Sequence, residues 1–253
     1  TATSATCVTG LAVRDTGTYF SFFGQMVILF LIQVGGLGIM TFSITLALLL
    51  RKNVDMKQQV AMQDVLDSNA LANVKSMIKF IAKMTFWFEF LGAAALFIAW
   101  GAKVDNLFER FYYSIFHAVS AFCNAGFSTF SDSLVGFYDH PATNVIVCSL
   151  IIAGGIGFFV VKDVKEWFIA HFGPKPRKPA LRVQTKIVLL TTLALIAAGA
   201  LLLYLGEKNN LLVYMSGQGK FWAPLFQSVT SRTAGFNSVN MANLGSQAGR
   251  LRC

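Results

Sequence analysis

The segment Val119-Ser120-Ala121-Phe122-Cys123-Asn124-Ala125-Gly126-Phe127 is small, carries a hydroxyl and turns on one glycine. The same signature stands at Thr3-Ser4-Ala5-Thr6-Cys7-Val8-Thr9-Gly10-Leu11 and at Ser228-Val229-Thr230-Ser231-Arg232-Thr233-Ala234-Gly235-Phe236. With Gly10, Gly126 and Gly235 as origins, the copies lie 116 and 109 residues apart. A second landmark follows the first two copies: Gly35-Gly36-Leu37-Gly38-Ile39 and Gly154-Gly155-Ile156-Gly157-Phe158, 25 and 28 residues after the respective glycine. Two landmarks in one order define a repeat, and its unit reads helix, hairpin, helix.

The composition says what surrounds these hairpins. Hydrophobic residues make up 55% of the 253, charged residues only 13%, and the mean hydropathy is +0.59. That is the balance of an all-α integral membrane protein, multi-pass in the lipid bilayer. The four cysteines, Cys7, Cys123, Cys148 and Cys253, show no paired spacing and read as free thiols. The chain opens inside a hairpin motif and reads as a fragment.

Gaps in charge place the spans. Residues 1–50 hold the first hairpin and a helix over about Phe22 to Leu50. Residues 51–83 form a cytoplasmic loop. Residues 84–161 make unit two, with spans Met84 to Trp100 and Thr143 to Val161. Residues 162–186 are a cytoplasmic linker with Pro174, Pro176 and Pro179, and residues 187–244 start unit three with the span Ile187 to Leu205. The tail 245–253 is unassigned.

Two further apolar segments, Phe108 to Phe122 and Phe221 to Ser231, lead straight into a hairpin glycine. They read as re-entrant helices, because irregular backbone is tolerated at membrane depth only inside protein or beside water. Helices lying in the interface are the other possibility.

Basic residues set the orientation. The two loops 51–83 and 162–186 hold 13 of the 21 Lys and Arg residues. The segment from Gly101 to Ala142 carries Lys103 and Arg110 against Asp105, Glu109, Asp132 and Asp139. The hairpins therefore face outward and the basic loops face the cytoplasm. The net charge of +9 is accounted for by this topology and by anionic lipid headgroups, with no need of nucleic acid.

A glycine-centred hairpin suits an ion pathway. A cation leaving water needs oxygen ligands, and consecutive backbone carbonyls supply them without fixed charge. Turning those carbonyls one way forces alternate residues into left-handed backbone, which glycine adopts freely. The side chains then point away from the path.

These residues resemble the Trk/Ktr/HKT superfamily of potassium uptake proteins, most closely its bacterial KtrB-like and TrkH-like pore subunits. The resemblance rests on Ser4 to Leu11, Ile32 to Phe42, Ser120 to Leu134, Ala153 to Val164 and Ser228 to Asn240. It implies four helix–hairpin–helix units around one pseudo-fourfold pore, a set incomplete in this chain. It implies a potassium filter built from Val8, Thr9, Gly10 and Leu11, from Asn124, Ala125, Gly126 and Phe127, and from Thr233, Ala234, Gly235 and Phe236. It further implies potassium as the transported ion with sodium or proton coupling open, no organic cofactor, a homodimer, and a cytosolic nucleotide-binding regulatory subunit docked on the basic inner loops. In the family the last helix of the third unit carries a gate loop, and nothing after Leu244 matches it.

Some single residues stand out. Glu89, an acid inside an apolar span, reads either as a bond donor's partner behind the filter or as a group that meets a coupling cation. Arg232, three residues before a hairpin glycine, belongs behind the filter, since in a lumen it would repel cations. His117 reads as a packed histidine rather than a pH sensor. The glycine pairs lack dinucleotide-binding spacing and suit close helix packing or a bend. No catalytic or resident-metal pattern appears, so an enzyme is not expected. A broken-helix carrier of another solute and a non-transporting scaffold stay open.

Overall fold

The computed structural model describes residues 1–51, 70–172 and 181–240. The predicted proline cluster and the tail 245–253 lie outside the described residues, as does most of the first basic loop. Among these residues eight α-helices follow in order: α1 Ala2–Thr6, α2 Phe22–Arg51, α3 Ala70–Ala99, α4 Leu107–Phe122, α5 Pro141–Gly155, α6 Phe158–Phe172, α7 Val183–Glu207 and α8 Gly217–Thr233. Among the described residues two helices, over Ile78–Ala99 and Val183–Glu207, are long and apolar enough to cross a membrane, and α5 with α6 forms a third, bent pair.

The predicted short helices before the hairpins are α4 and α8. Local chemistry starts them: Asn106 caps α4 by accepting from the Phe108 amide, and Ser216 caps α8 by accepting from the Gly219 amide. Both are wedges rather than surface helices. In α4, Phe116 through Phe122 are all buried, and in α8 so are Phe226 through Thr230. Helix α4 packs on α3, α5 and α2, while α8 packs on α7 and α5.

The main core gathers around these wedges, with Phe122, Trp100, Ile151, Phe226 and Phe236 in one cluster. A second cluster joins Ile28 and Ile32 of α2 to Phe116 and Phe127. Polar ties cross between units: Tyr112 Oη donates to Gln25 Oε1 at 2.8 Å, and the Gln25 amide donates to the Gly17 and Phe20 carbonyls. The Trp100 indole donates to Thr143 Oγ1 at 2.9 Å, and Ser228 Oγ donates to the Ile196 carbonyl of α7 at 2.8 Å.

Three sequence expectations need correction. The span Thr143 to Val161 is not one straight helix: it breaks at Ile156-Gly157, Gly157 has φ +87°, and α6 leaves α5 at 106°. Apolar content alone cannot reveal such a turn. The helix that holds the second span begins at Ala70, with its apolar stretch over Ile78–Ala99, so Lys75, Lys79 and Lys83 sit on helix α3 and not in a loop. Ala70 to Lys83 contains good helix formers, and lysines at a membrane-entering helix end are tolerated because their stems reach toward the headgroups. Similarly, α6 occupies the start of the predicted 162–186 linker. The predicted helices over Phe22 to Leu50 and Ile187 to Leu205 fall within α2 and α7.

Helix α5 starts at Pro141, whose missing N–H costs nothing there. His140 caps it, its Nδ1 accepting from the Thr143 amide at 3.3 Å. Burial, then the Lys103 charge, holds this imidazole below its ordinary value of 6.5, against the opposing pull of Asp139. A depressed folded value means the cap contributes fully above pH 6.5 and is lost as pH falls through the folded value. Acidification should therefore lower the thermal midpoint of the wild type through this range. In His140→Asn, which keeps a capping acceptor, that portion of the slope should vanish.

Candidate pore site

The backbone of the hairpins carries the geometry. At the end of α4 the Asn124 amide donates to the Ala121 carbonyl at 3.1 Å and the Ala125 amide to the Ser120 carbonyl at 2.8 Å. At the end of α1 the Val8 and Thr9 amides make the same two bonds, to Ala5 and Ser4. This is the paired closure that satisfies the last carbonyls of a helix, and it needs a left-handed residue just past the cap. Val8 and Asn124 supply it, with φ +55° and +58°.

Gly10 and Gly126, two residues on, are left-handed again at φ +75° and +70°. The predicted alternation is thus present in the first two hairpins. The third differs: α8 runs through Thr233, Ala234 stays in the right-handed region, and only Gly235 turns left-handed, at φ +83°.

The three glycines come together. A methyl on Gly10 would stand 2.7 Å from the Ala125 carbonyl oxygen and 3.7 Å from that of Ala234, and one on Gly126 would collide with the Ala234 carbonyl. A methyl on Gly235 would lie 4.0 Å from Gly126 Cα. The three hairpins lie close together, each following the carboxyl end of its short helix, α1, α4 or α8.

Other positions behave unequally. Leu11 is 75% exposed, whereas Ala125, Phe127, Ala234 and Phe236 are buried. Thr9 Oγ1 bonds Ser4 Oγ at 2.8 Å. The Phe127 carbonyl accepts from Ser120 Oγ at 2.7 Å, and Thr233 Oγ1 bonds the Asn124 side chain at 2.9 Å. Ser4 and Ser120 each lie six residues before their glycine, so superposing the hairpin sequences reveals both. Their roles were missed because a small hydroxyl residue acquires a partner only once the chain is folded.

Behind the second hairpin, Glu89 accepts from Cys123 Sγ at 3.8 Å and from the Gln33 side chain. The partners are a thiol and a side-chain amide rather than the expected hairpin amides or hydroxyls, and Gln33 is one that sequence reasoning passed over. Arg232 is half-buried on the last turn of α8, and among the described residues no ion pair engages it. His117 is a packed histidine, fully buried, with Nδ1 on the Tyr113 carbonyl and Nε2 on Ser128 Oγ at 2.9 Å. Cys7, Cys123 and Cys148 are free thiols.

The glycine pairs act as wedges. A methyl on Gly35 would collide with the Thr6 carbonyl, and one on Gly154 with the Phe122 carbonyl. Thr6 and Phe122 each stand four residues before their hairpin glycine, so the two units repeat the contact position for position. Each second glycine faces the next hairpin: Gly36 lies against Cys123 Sγ, and Gly155 against Thr233 Oγ1.

This order of landmarks is a family pattern, and the family model of TrkH, described as cation transport protein, matches residues 1–249. The chain belongs to the TrkH family. Members of the TrkH family are ion transporters, not enzymes. The chain is 38% identical over 252 residues to Ktr system potassium uptake protein B of Bacillus subtilis, covering 96% of this chain and 53% of that protein. It is 36% identical over 245 residues to the protein of the same name from Vibrio alginolyticus, covering 95% and 52%. To the potassium/sodium uptake protein NtpJ of Enterococcus hirae it is 33% identical over 252 residues, covering 99% and 54%. The chain thus spans about half the length of these TrkH relatives.

If the wedge contacts hold the hairpins, Gly35→Ala and Gly154→Ala should each cost about 1–3 kcal/mol by overpacking. Gly136→Ala, where a methyl meets nothing within 4 Å, should stay within about 0.5 kcal/mol of the wild type. Thermal unfolding of the detergent-solubilised protein checks this. Equal midpoints for all three would remove the wedge.

Proposed function

We propose that the protein to which this chain belongs takes up potassium across the cytoplasmic membrane. Dehydrated or partly dehydrated ions pass between backbone carbonyls of Val8–Leu11, Asn124–Phe127 and Thr233–Phe236. The observation that carries this reading is the convergence of Gly10, Gly126 and Gly235, each left-handed, at the carboxyl ends of three short helices. Left-handed turns aim carbonyls along one face, and helix carboxyl ends favour a cation by roughly 0.3–1 kcal/mol each. The names of the relatives support potassium as cargo, and that of the Enterococcus protein supports sodium as a second ion.

The membrane potential drives the uptake, with about 2.3 kcal/mol available per charge per 100 mV. A fourth hairpin, required by the pseudo-fourfold arrangement, enters between the first and third, which it must part. Glu89 with Gln33 buttresses the second hairpin from behind, and Arg232 stands clear of the ion path. The hairpins open to the outside, while the basic inner loops form the docking surface for a cytosolic nucleotide-binding subunit, with a homodimer as the assembled unit.

The broken α5–α6 pair favours one second reading, a carrier whose substrate sits at interrupted helices. Among the described residues the break meets no charged pocket. Expression of the whole protein in a bacterial strain lacking potassium uptake separates the two. Growth at low potassium with rubidium uptake is expected, and Gly126→Asp, which puts a charged side chain against the Ala234 carbonyl, should abolish it. Uptake unchanged in that variant, or no rubidium uptake by the wild type, rejects the filter.

A further inference from the structure

The Asn124 side chain reaches two other elements, α5 and α8. With the amide oriented so that both ends are satisfied, it donates to the Ile151 carbonyl at 3.2 Å and to Thr233 Oγ1 at 2.9 Å, and accepts from the Gly155 amide at 3.2 Å. Ile151 and Gly155 bound the last turn of α5, directly before the break at Ile156-Gly157. Thr233 closes α8 in the third hairpin. One amide therefore joins the second hairpin, the third hairpin and the last intact turn before the 106° bend.

The first unit provides an internal comparison. The residue corresponding to Asn124 is Val8, also left-handed at φ +55°, but its side chain has no hydrogen-bonding atoms. There α2 continues unbroken past Gly35 and Gly36 to Arg51. Where the position holds asparagine, the helix behind it ends and turns. Asparagine also suits the position on its own account, since it tolerates left-handed backbone better than a β-branched residue. The fit is close: a methyl on Gly154 would stand 2.9 Å from the end of the Asn124 amide.

We infer that Asn124 is a positioning residue for ion selectivity, which fixes the spacing of the second and third hairpins by tying both to the end of α5. The inference rests on the filter proposed above. Carbonyls discriminate between cations of different size only if the spacing of their strands is held, and Asn124 to Thr233 is a direct side-chain tie between two of those strands. The amide touches no ion. It acts through the backbone that it holds.

The test uses the whole protein in liposomes, with rubidium and sodium uptake each measured per folded protein. Asn124→Gly keeps the left-handed backbone and strips the amide, and Thr233→Val removes the tie from the other side. Both should lower the rubidium-to-sodium uptake ratio, by about 5- to 30-fold, the range expected for one or two lost hydrogen bonds. The double variant should be no worse than the worse single one, because both remove the same tie. A variant that merely folds less well, with its ratio unchanged, overturns the inference while rubidium uptake by the wild type leaves the filter standing. If Asn124→Gly does not assemble, Thr233→Val gives the same readout. A wild type that moves no rubidium overturns filter and inference together.

Discussion

Close approach of backbone to backbone inside a membrane is the constraint on which this fold depends. Carbonyls at the ends of α1 and α4 press against α2 and α5 at Gly35 and Gly154, where even a methyl has no room. Nearby, Gly10 and Gly126 let the hairpins meet one another's carbonyls. Glycine gives up conformational entropy in helix interiors, about 0.5–1 kcal/mol relative to alanine, so its use in α2 and α5 needs such a return. The return is a short helix and its turn held firmly between two longer ones.

A second requirement follows from the first. Irregular backbone away from water must have its hydrogen bonds met locally. The paired closures at Val8-Thr9 and Asn124-Ala125, the Ser120 hydroxyl on the Phe127 carbonyl and the His117–Ser128 bond answer it for the first two hairpins. The third hairpin uses a different ending, with Ala234 and Gly235 amides both directed to the Thr230 carbonyl. Three similar sequences thus reach one meeting point by two backbone routes.

The helices, the hairpins and the family were legible in the sequence because each has a local cause: long uncharged runs, one glycine per turn, and ordered landmarks. The glycine pairs were readable as packing sites, though not which carbonyl each would receive. The break after Gly155 was not readable. Hydropathy over Thr143 to Val161 is the same for a straight helix and a bent one. Gln33 and Ser120 escaped for a related reason, since a single polar side chain acquires meaning only from the group opposite it. Start points such as Ala70 slipped because lysines at a helix mouth resemble those of a loop.

The bend also bears on the lipid around this protein. Helix α5 has 15 residues, a rise of about 22 Å, against roughly 30 Å of hydrocarbon in an ordinary bilayer. Beyond it the chain veers aside, and Lys162, Asp163, Lys165 and Glu166 follow within two turns of α6. A leaflet meeting this flank encounters charge before its acyl chains are fully spanned, and must pinch inward to keep that charge wetted. A short α5 followed by charge makes the energy of this flank depend on the thickness of the membrane that receives it.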